Sequence, residues 1–148
     1  MDTVLSRHPQ LKLILAHFYF LSADLERAGC FLNTHPTVCF DLAPHIEMYH
    51  DFSNAPGVAK AFFLRYQDRI LYGSDIDTRA LARGAQALMR FIPWLIRSML
   101  EKEGSLATPD GKRYTGLGLS HEVLEKIYHI NFERIYGNQP ASLRTDQS

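Results

Sequence analysis

Three short apolar runs constrain this chain most: each leads into a histidine or an aspartate, and each is separated from the next by a segment of helical periodicity. Leu11-Lys12-Leu13-Ile14-Leu15-Ala16 ends in His17, Thr37-Val38-Cys39-Phe40 ends in Asp41, and Ile70-Leu71-Tyr72 is followed by Gly73-Ser74-Asp75. Apolar runs of this length read as buried strands when turn residues bound them, as Arg7-His8-Pro9-Gln10, Asn33-Thr34-His35-Pro36 and Gly73-Ser74 do here. Between the strands, Leu25, Ala28, Phe31 and Leu32 recur at helical spacing within Ser22 to Leu32, with Ser22 as expected N-cap. Val58, Ala61, Phe62 and Tyr66 do the same within Pro56 to Tyr66. Strand alternating with helix implies right-handed parallel crossovers and an α/β fold.

Beyond Asp75 a long helix is expected from Thr78 to about Glu103, with Leu81, Ala85, Leu88, Ile92, Leu95 and Met99 on one face and a kink at Pro93. Gly104 to Gly118 is rich in Gly, Thr, Pro, Asp and Lys and reads as a surface excursion or lid. A last helix is expected from His121 to Tyr136, with Ser120 as N-cap and Gly137 ending it.

This alternation places His17, Asp41 and Asp75 on the C-terminal edge of one parallel sheet, where ligands bind and catalytic groups project. Imidazole and carboxylate are donors that bind zinc or activate water. Each has a plainer reading. Asp75 is otherwise a helix N-cap or loop acid, and His17 a satisfied core histidine. His45, Glu47, Tyr49 and His50 crowd the segment after the second strand, which reads as a solvated loop whose His45 and His50 are candidates for substrate contact. Asp77 and Arg79 are candidates for the pocket mouth.

Composition excludes other classes. Sixteen basic residues balance sixteen acidic ones, which argues against a polyanion-binding surface and a nucleic-acid partner. No stretch approaches the roughly twenty apolar residues of a membrane span, and Met1-Asp2 is not a basic signal-peptide start. The two cysteines, Cys30 and Cys39, form no disulfide framework. They read as buried thiols of a reducing compartment, so a cytoplasmic location is expected.

These motifs carry a resemblance. Arg7-His8-Pro9-Gln10-Leu11-Lys12-Leu13-Ile14-Leu15-Ala16-His17-Phe18 resembles the sixth-strand segment of the metal-dependent amidohydrolase superfamily, in its amidohydrolase-related branch. His35-Pro36-Thr37-Val38-Cys39-Phe40-Asp41-Leu42 is similar to the seventh strand, and Asp68-Arg69-Ile70-Leu71-Tyr72-Gly73-Ser74-Asp75 to the eighth. Ile127-Tyr128-His129-Ile130-Asn131-Phe132-Glu133-Arg134-Ile135-Tyr136-Gly137 resembles the closing helix. The four motifs stand in the family's order and spacing.

The resemblance implies the C-terminal portion, about strands six to eight with their helices, of a TIM-type (β/α)₈ barrel. Such barrels take about 250 residues, and this chain has 148. The family's first-strand His-x-His pair and fifth-strand histidine have no counterpart here. Residues 1–148 are expected to form one partial barrel domain with 138–148 as a flexible tail. A truncated fragment, half of a split enzyme and a degenerate relative are the three accounts of the missing strands, the fragment being favoured because the motifs are not eroded.

By resemblance, Asp75 is a metal ligand and proton acceptor, and His17 a metal ligand or water-orienting group. The cofactor implied is a divalent metal, zinc above others, and the partner a small-molecule substrate. Asn131 and Arg134 would tie the last helix to the barrel base, and Arg69 with Asp68 reads as a surface or strand-start pair. The activity implied is hydrolysis of an amide, ester or lactone, or in some members decarboxylation of an aromatic acid. A second class stays open: a non-catalytic α/β module that pairs with itself or with a missing N-terminal half through exposed sheet edges.

Overall fold

The computed structural model describes residues 2–76, 86–108 and 111–137. Asp77 and Arg79, the start of the helix expected from Thr78, and the 138–148 tail lie outside the described residues. The elements run α1 (Asp2–Arg7), β1 (Leu13–Leu15), α2 (Leu25–Thr34), β2 (Val38–Asp41), α3 (Ile46–Asn54), α4 (Pro56–Arg65), β3 (Ile70–Leu71), α5 (Gln86–Glu101), β4 (Glu103–Ala107) and β5 (Arg113–Leu117). A closing helix follows as α6 (His121–Glu125), a π-turn (Lys126–Ile130) and α7 (Asn131–Tyr136).

Strands β1, β2 and β3 form one parallel sheet in that order, with Leu13 opposite Val38, Leu15 opposite Phe40 and Phe40 opposite Ile70. The chain is thus mixed α/β around a parallel sheet. Val38, Phe40 and Ile70 are fully buried, as a two-sided parallel strand demands. Beside them, Phe18, Phe52, Phe62 and Phe63 make an aromatic core, with the Phe18 ring 5.0 Å from Phe40, 5.2 Å from Phe52 and 5.5 Å from Phe62.

The two edges of the sheet differ. In β3 the groups pointing away from β2 are satisfied: the Tyr72 N–H donates to the Ile127 carbonyl at 2.8 Å, and Asn131 Nδ2 donates to the Ile70 carbonyl at 2.8 Å. The π-turn brings the Ile127 carbonyl to that edge, and Asn131 also reaches the Gln67 carbonyl at 2.7 Å. Arg134 adds a bond to the Asp68 carbonyl. Asn131 and Arg134 therefore anchor the closing helix to the start of β3. Strand β1, by contrast, is half-buried, and no described strand lies on its outer side.

Several expectations change. The segment read as a lid is a β-hairpin: β4 and β5 pair antiparallel from Glu103 opposite Leu117 to Ala107 opposite Arg113. Leu106, Tyr114 and Leu117 give it a buried face, and Ser53 Oγ accepts the Thr115 N–H at 3.0 Å. Gly116 permits its approach to the end of α5, since a Cβ there would sit 2.2 Å from the Lys102 carbonyl oxygen. The segment after β2 is a helix, α3, because Met48, Tyr49 and Phe52 share a buried face. Asp24 rather than Ser22 caps α2, accepting the Arg27 N–H at 2.9 Å, while buried Ser22 donates to Asp51 at 2.7 Å. Arg69 does not pair with Asp68: it bonds the Val38 and His35 carbonyls, and Asp68 meets Lys126 at 3.1 Å. Cys39 is buried, but Cys30 is exposed on α2.

Candidate functional site

At the C-terminal edge of β1 the backbone turns left-handed. His17, Phe18, Tyr19 and Phe20 have φ of 56°, 53°, 53° and 56°, four consecutive non-glycine residues in a conformation that glycine adopts without strain. Each L-residue there costs roughly 1–2 kcal/mol, so the turn costs about 4–8 kcal/mol.

Tertiary contacts offset that cost. Phe18 is fully buried at the centre of the aromatic core, worth about 2–3 kcal/mol by burial and roughly 1–3 kcal/mol from its ring contacts. The His17 N–H donates to Asp41 Oδ1 at 2.9 Å, and the same oxygen accepts the Ala43 N–H at 3.0 Å. Bonds to a charged acceptor contribute about 1.5–3 kcal/mol. Asp41 thus serves as a structural acceptor, fastening the turn to the end of β2. Gly73 lets the end of β3 come close, since a Cβ there would lie 3.2 Å from Asp41 Cγ and 3.0 Å from the Ala43 nitrogen.

The same contacts set the chemistry of His17. Its Nδ1 lies 3.1 Å from the Ala43 carbonyl oxygen, which can only accept, so Nδ1 carries the proton. In the neutral ring Nε2 therefore holds the lone pair. A backbone carbonyl on one ring nitrogen, with the other offered outward, is the arrangement metal-ligating histidines use.

His45 repeats part of that pattern. Its Nδ1 is 3.2 Å from Glu47 Oε2, and its hydrogen bond holds the Glu47 carboxyl below its ordinary range. Among the described residues, His45 Nε2 is buried without a hydrogen-bond partner. The Phe20 ring connects the two histidines, its centroid 5.5 Å from His17 and 5.2 Å from His45. His17, Asp41, Phe20 and His45 are thereby brought into one cluster. His50 is directed elsewhere, its ring 4.8 Å from Tyr114 of the hairpin.

Asp75 follows Gly73-Ser74 beyond β3, exposed and left-handed at φ 51°. Tyr72, three residues before it, packs edge-on against Tyr128 at 5.7 Å, and the two line a cavity of about 270 Å³ with Arg97. Burial pushes the Tyr72 hydroxyl above its ordinary pKa. Burial and the nearby Glu101 carboxylate do the same to Tyr128, which donates to Glu101 at 2.8 Å.

The donor types suit a divalent ion, since His17 has a ligand's tautomer and Asp75 is a carboxylate at the same sheet edge. Their number does not complete a site. Among the described residues no group of three or more His, Cys, Asp or Glu is arranged to hold a metal ion. A zinc site takes four ligands, one of which water fills in catalytic centres. Neither the Phe20 contact nor the Ala43 carbonyl has a signal in the sequence: no glycine marks the left-handed turn, and a backbone acceptor leaves no trace in residue type.

No curated protein and no solved structure matches the chain. The family model described as amidohydrolase matches residues 1–137, which takes in β1, β2, β3 and the closing helix, and the chain belongs to the amidohydrolase family.

Proposed function

We propose that this chain supplies part of the active site of a metal-dependent hydrolase that cleaves a C–N or C–O bond of a small molecule with water. The observation that carries the reading is the contact of His17 Nδ1 with the Ala43 carbonyl, which leaves the lone pair on Nε2 of a residue that follows β1. His17 Nε2 and the Asp75 carboxylate would hold a divalent ion, zinc in the first instance. Such an ion supplies a Lewis acid and brings the pKa of bound water from about 16 toward about 7.

The part played by this chain's own groups follows from their chemistry. Asp75, exposed beyond the end of β3, would accept the proton lost by the attacking water and return it to the leaving group. His17, held by its backbone N–H on the Asp41 carboxylate and by its ring on the Ala43 carbonyl, orients rather than moves. The remaining donors come from further strands of a TIM-type barrel of which β1, β2 and β3 are the C-terminal portion, added on the outer side of β1.

Cobalt(II) titration of the 148-residue chain, followed by visible absorption, tests the assignment. Weak binding that disappears in His17→Ala is expected. Binding left unchanged by that substitution overturns the role of Nε2, and tight stoichiometric binding by the chain alone overturns the need for outside donors.

A further inference from the structure

The left-handed turn carries three aromatic residues where glycine would be least strained, so each side chain needs a reason to be there. Phe18 has one, being fully buried among Phe40, Phe52, Phe62 and Phe63. Tyr19 has one too, packed 5.2 Å from Phe31 and 6.5 Å from Phe40. Phe20 does not. It is 68% exposed, and its ring contacts are the imidazoles of His17 and His45. Packing among the described residues does not account for a large apolar ring held in that conformation and turned to solvent. Strained backbone of this kind gathers at sites that bind or react.

A second observation falls at the same place. His45, whose ring centroid is 5.2 Å from that of Phe20, has its Nε2 buried without a hydrogen-bond partner among the described residues. Strain and an unsatisfied polar atom thus converge on one ring beside the imidazole whose Nε2 holds the lone pair.

We propose that Phe20 is a specificity-determining residue, a platform on which a planar aromatic group of the substrate stacks next to the bond that is cleaved. The proposal rests on the hydrolase reading above, and it names the substrate class of that site: aromatic amides or esters rather than aliphatic ones. Offset stacking on an exposed ring favours a flat π-system over a saturated ring of the same size. His17, 5.5 Å from the Phe20 centroid, then lies beside the carbonyl that such a substrate carries on its ring.

The test needs neither metal nor turnover, so its failure is distinguishable from failure of the hydrolase reading. Benzamide and cyclohexanecarboxamide, equal in their amide and close in size, are titrated into the full chain while the imidazole proton resonances of His17 and His45 are followed by NMR. Saturable shifts at both histidines are expected with benzamide, with affinity about threefold or more above that of the saturated amide. Phe20→Leu should abolish the preference. Phe20→Gly, which relieves the left-handed backbone, gives the same loss and serves if the leucine chain folds poorly. Equal affinity for the two amides, benzamide binding retained in either variant, or no saturable shift at the two histidines overturns the proposal.

Discussion

The backbone N–H of His17 donates to Oδ1 of Asp41 at 2.9 Å, across 24 residues of sequence, and this bond fixes the end of β1 to the end of β2. Because Asp41 Oδ1 also accepts the Ala43 N–H, and the Ala43 carbonyl faces the His17 ring, one carboxylate positions both the backbone and the tautomer of the histidine. Asp41→Ala should therefore lower stability by about 1.5–3 kcal/mol in urea unfolding. It should also weaken cobalt binding at His17 without touching a donor. A variant of unchanged midpoint and unchanged cobalt affinity would contradict this account.

Strain in the turn predicts a substitution with the unusual sign. Phe20 is mostly exposed, so Phe20→Gly loses little burial while relieving a residue at φ 56°. The relief of roughly 1–2 kcal/mol is partly offset by about 0.4–1 kcal/mol of added unfolded-state entropy. A gain of about 0.5–1 kcal/mol is expected. Phe18→Gly should go the other way, by about 3–5 kcal/mol, because it empties the aromatic core. Thermal unfolding of the two variants reads both signs.

Asn131 is 1% exposed, and its Nδ2 donates to the Gln67 and Ile70 carbonyls. Two carbonyls require the amide nitrogen to face them, which leaves Oδ1 buried without a partner among the described residues. Asn131→Ala strips a donor from both carbonyls and should cost about 2–4 kcal/mol. Hydrogen exchange is the sharper readout: the Tyr72 N–H, which bonds Ile127 of the same helix, should lose protection together with the closing helix. Protection equal to that of the unmodified chain would show that the helix does not depend on this anchor.

His129 gives the closing helix a pH dependence. Its Nε2 lies 2.8 Å from Glu125 Oε2, and that hydrogen bond, with Glu133 on its other nitrogen, raises its pKa above 6.5. A raised folded pKa means stability that is full below the unfolded value and lost as pH rises through the folded one. Glu125 is lowered from 4.5 by the same bond, so its contribution is present above that value and lost as pH falls through the folded pKa. The melting temperature should thus be higher near pH 6 than near pH 8, and His129→Gln should flatten the difference. An identical slope in that variant would assign the effect elsewhere.

The open edge of β1 predicts self-association. Leu13 N–H donates to the Thr37 carbonyl, so in a parallel ladder Leu13 and Leu15 face β2 and the N–H of Ile14 points outward. An outward row beside exposed Leu11 is a template for another strand. Light scattering of the isolated chain should show oligomers that Ile14→Pro dissociates, because proline there removes no ladder bond. A clean monomer before substitution would contradict the prediction.

Which parts of this were legible depended on where the determining contacts lie. Strand ends were legible, because an apolar run stopped by His17, Asp41 or Gly73-Ser74 is a local pattern. Helix α4 was legible as a helix but not in its face, since Ala59, Phe62 and Phe63 are buried while Val58 and Ala61 of the expected stripe are exposed. Asn131 and Arg134 took the anchoring role expected of them. The hairpin was not. Its Gly, Thr and Lys content reads as loop, and only burial of Leu106, Tyr114 and Leu117 against the helices makes it a sheet. Helix α3 was hidden because its polar face, with His45 at its start and Glu47 and His50 within it, obscured the spacing of Met48, Tyr49 and Phe52.

The sequence alone determined a parallel α/β order, the three strand endings, and hence which histidine and carboxylates share one edge of the sheet. Tertiary structure decided how they are presented. Four left-handed residues without a glycine are unfavourable locally and exist only because the buried ring of Phe18 and the carboxylate of Asp41 outweigh their strain. The His17 tautomer and the Phe20 platform follow from that balance, which is set by residues distant in sequence and by a backbone carbonyl that no residue type encodes.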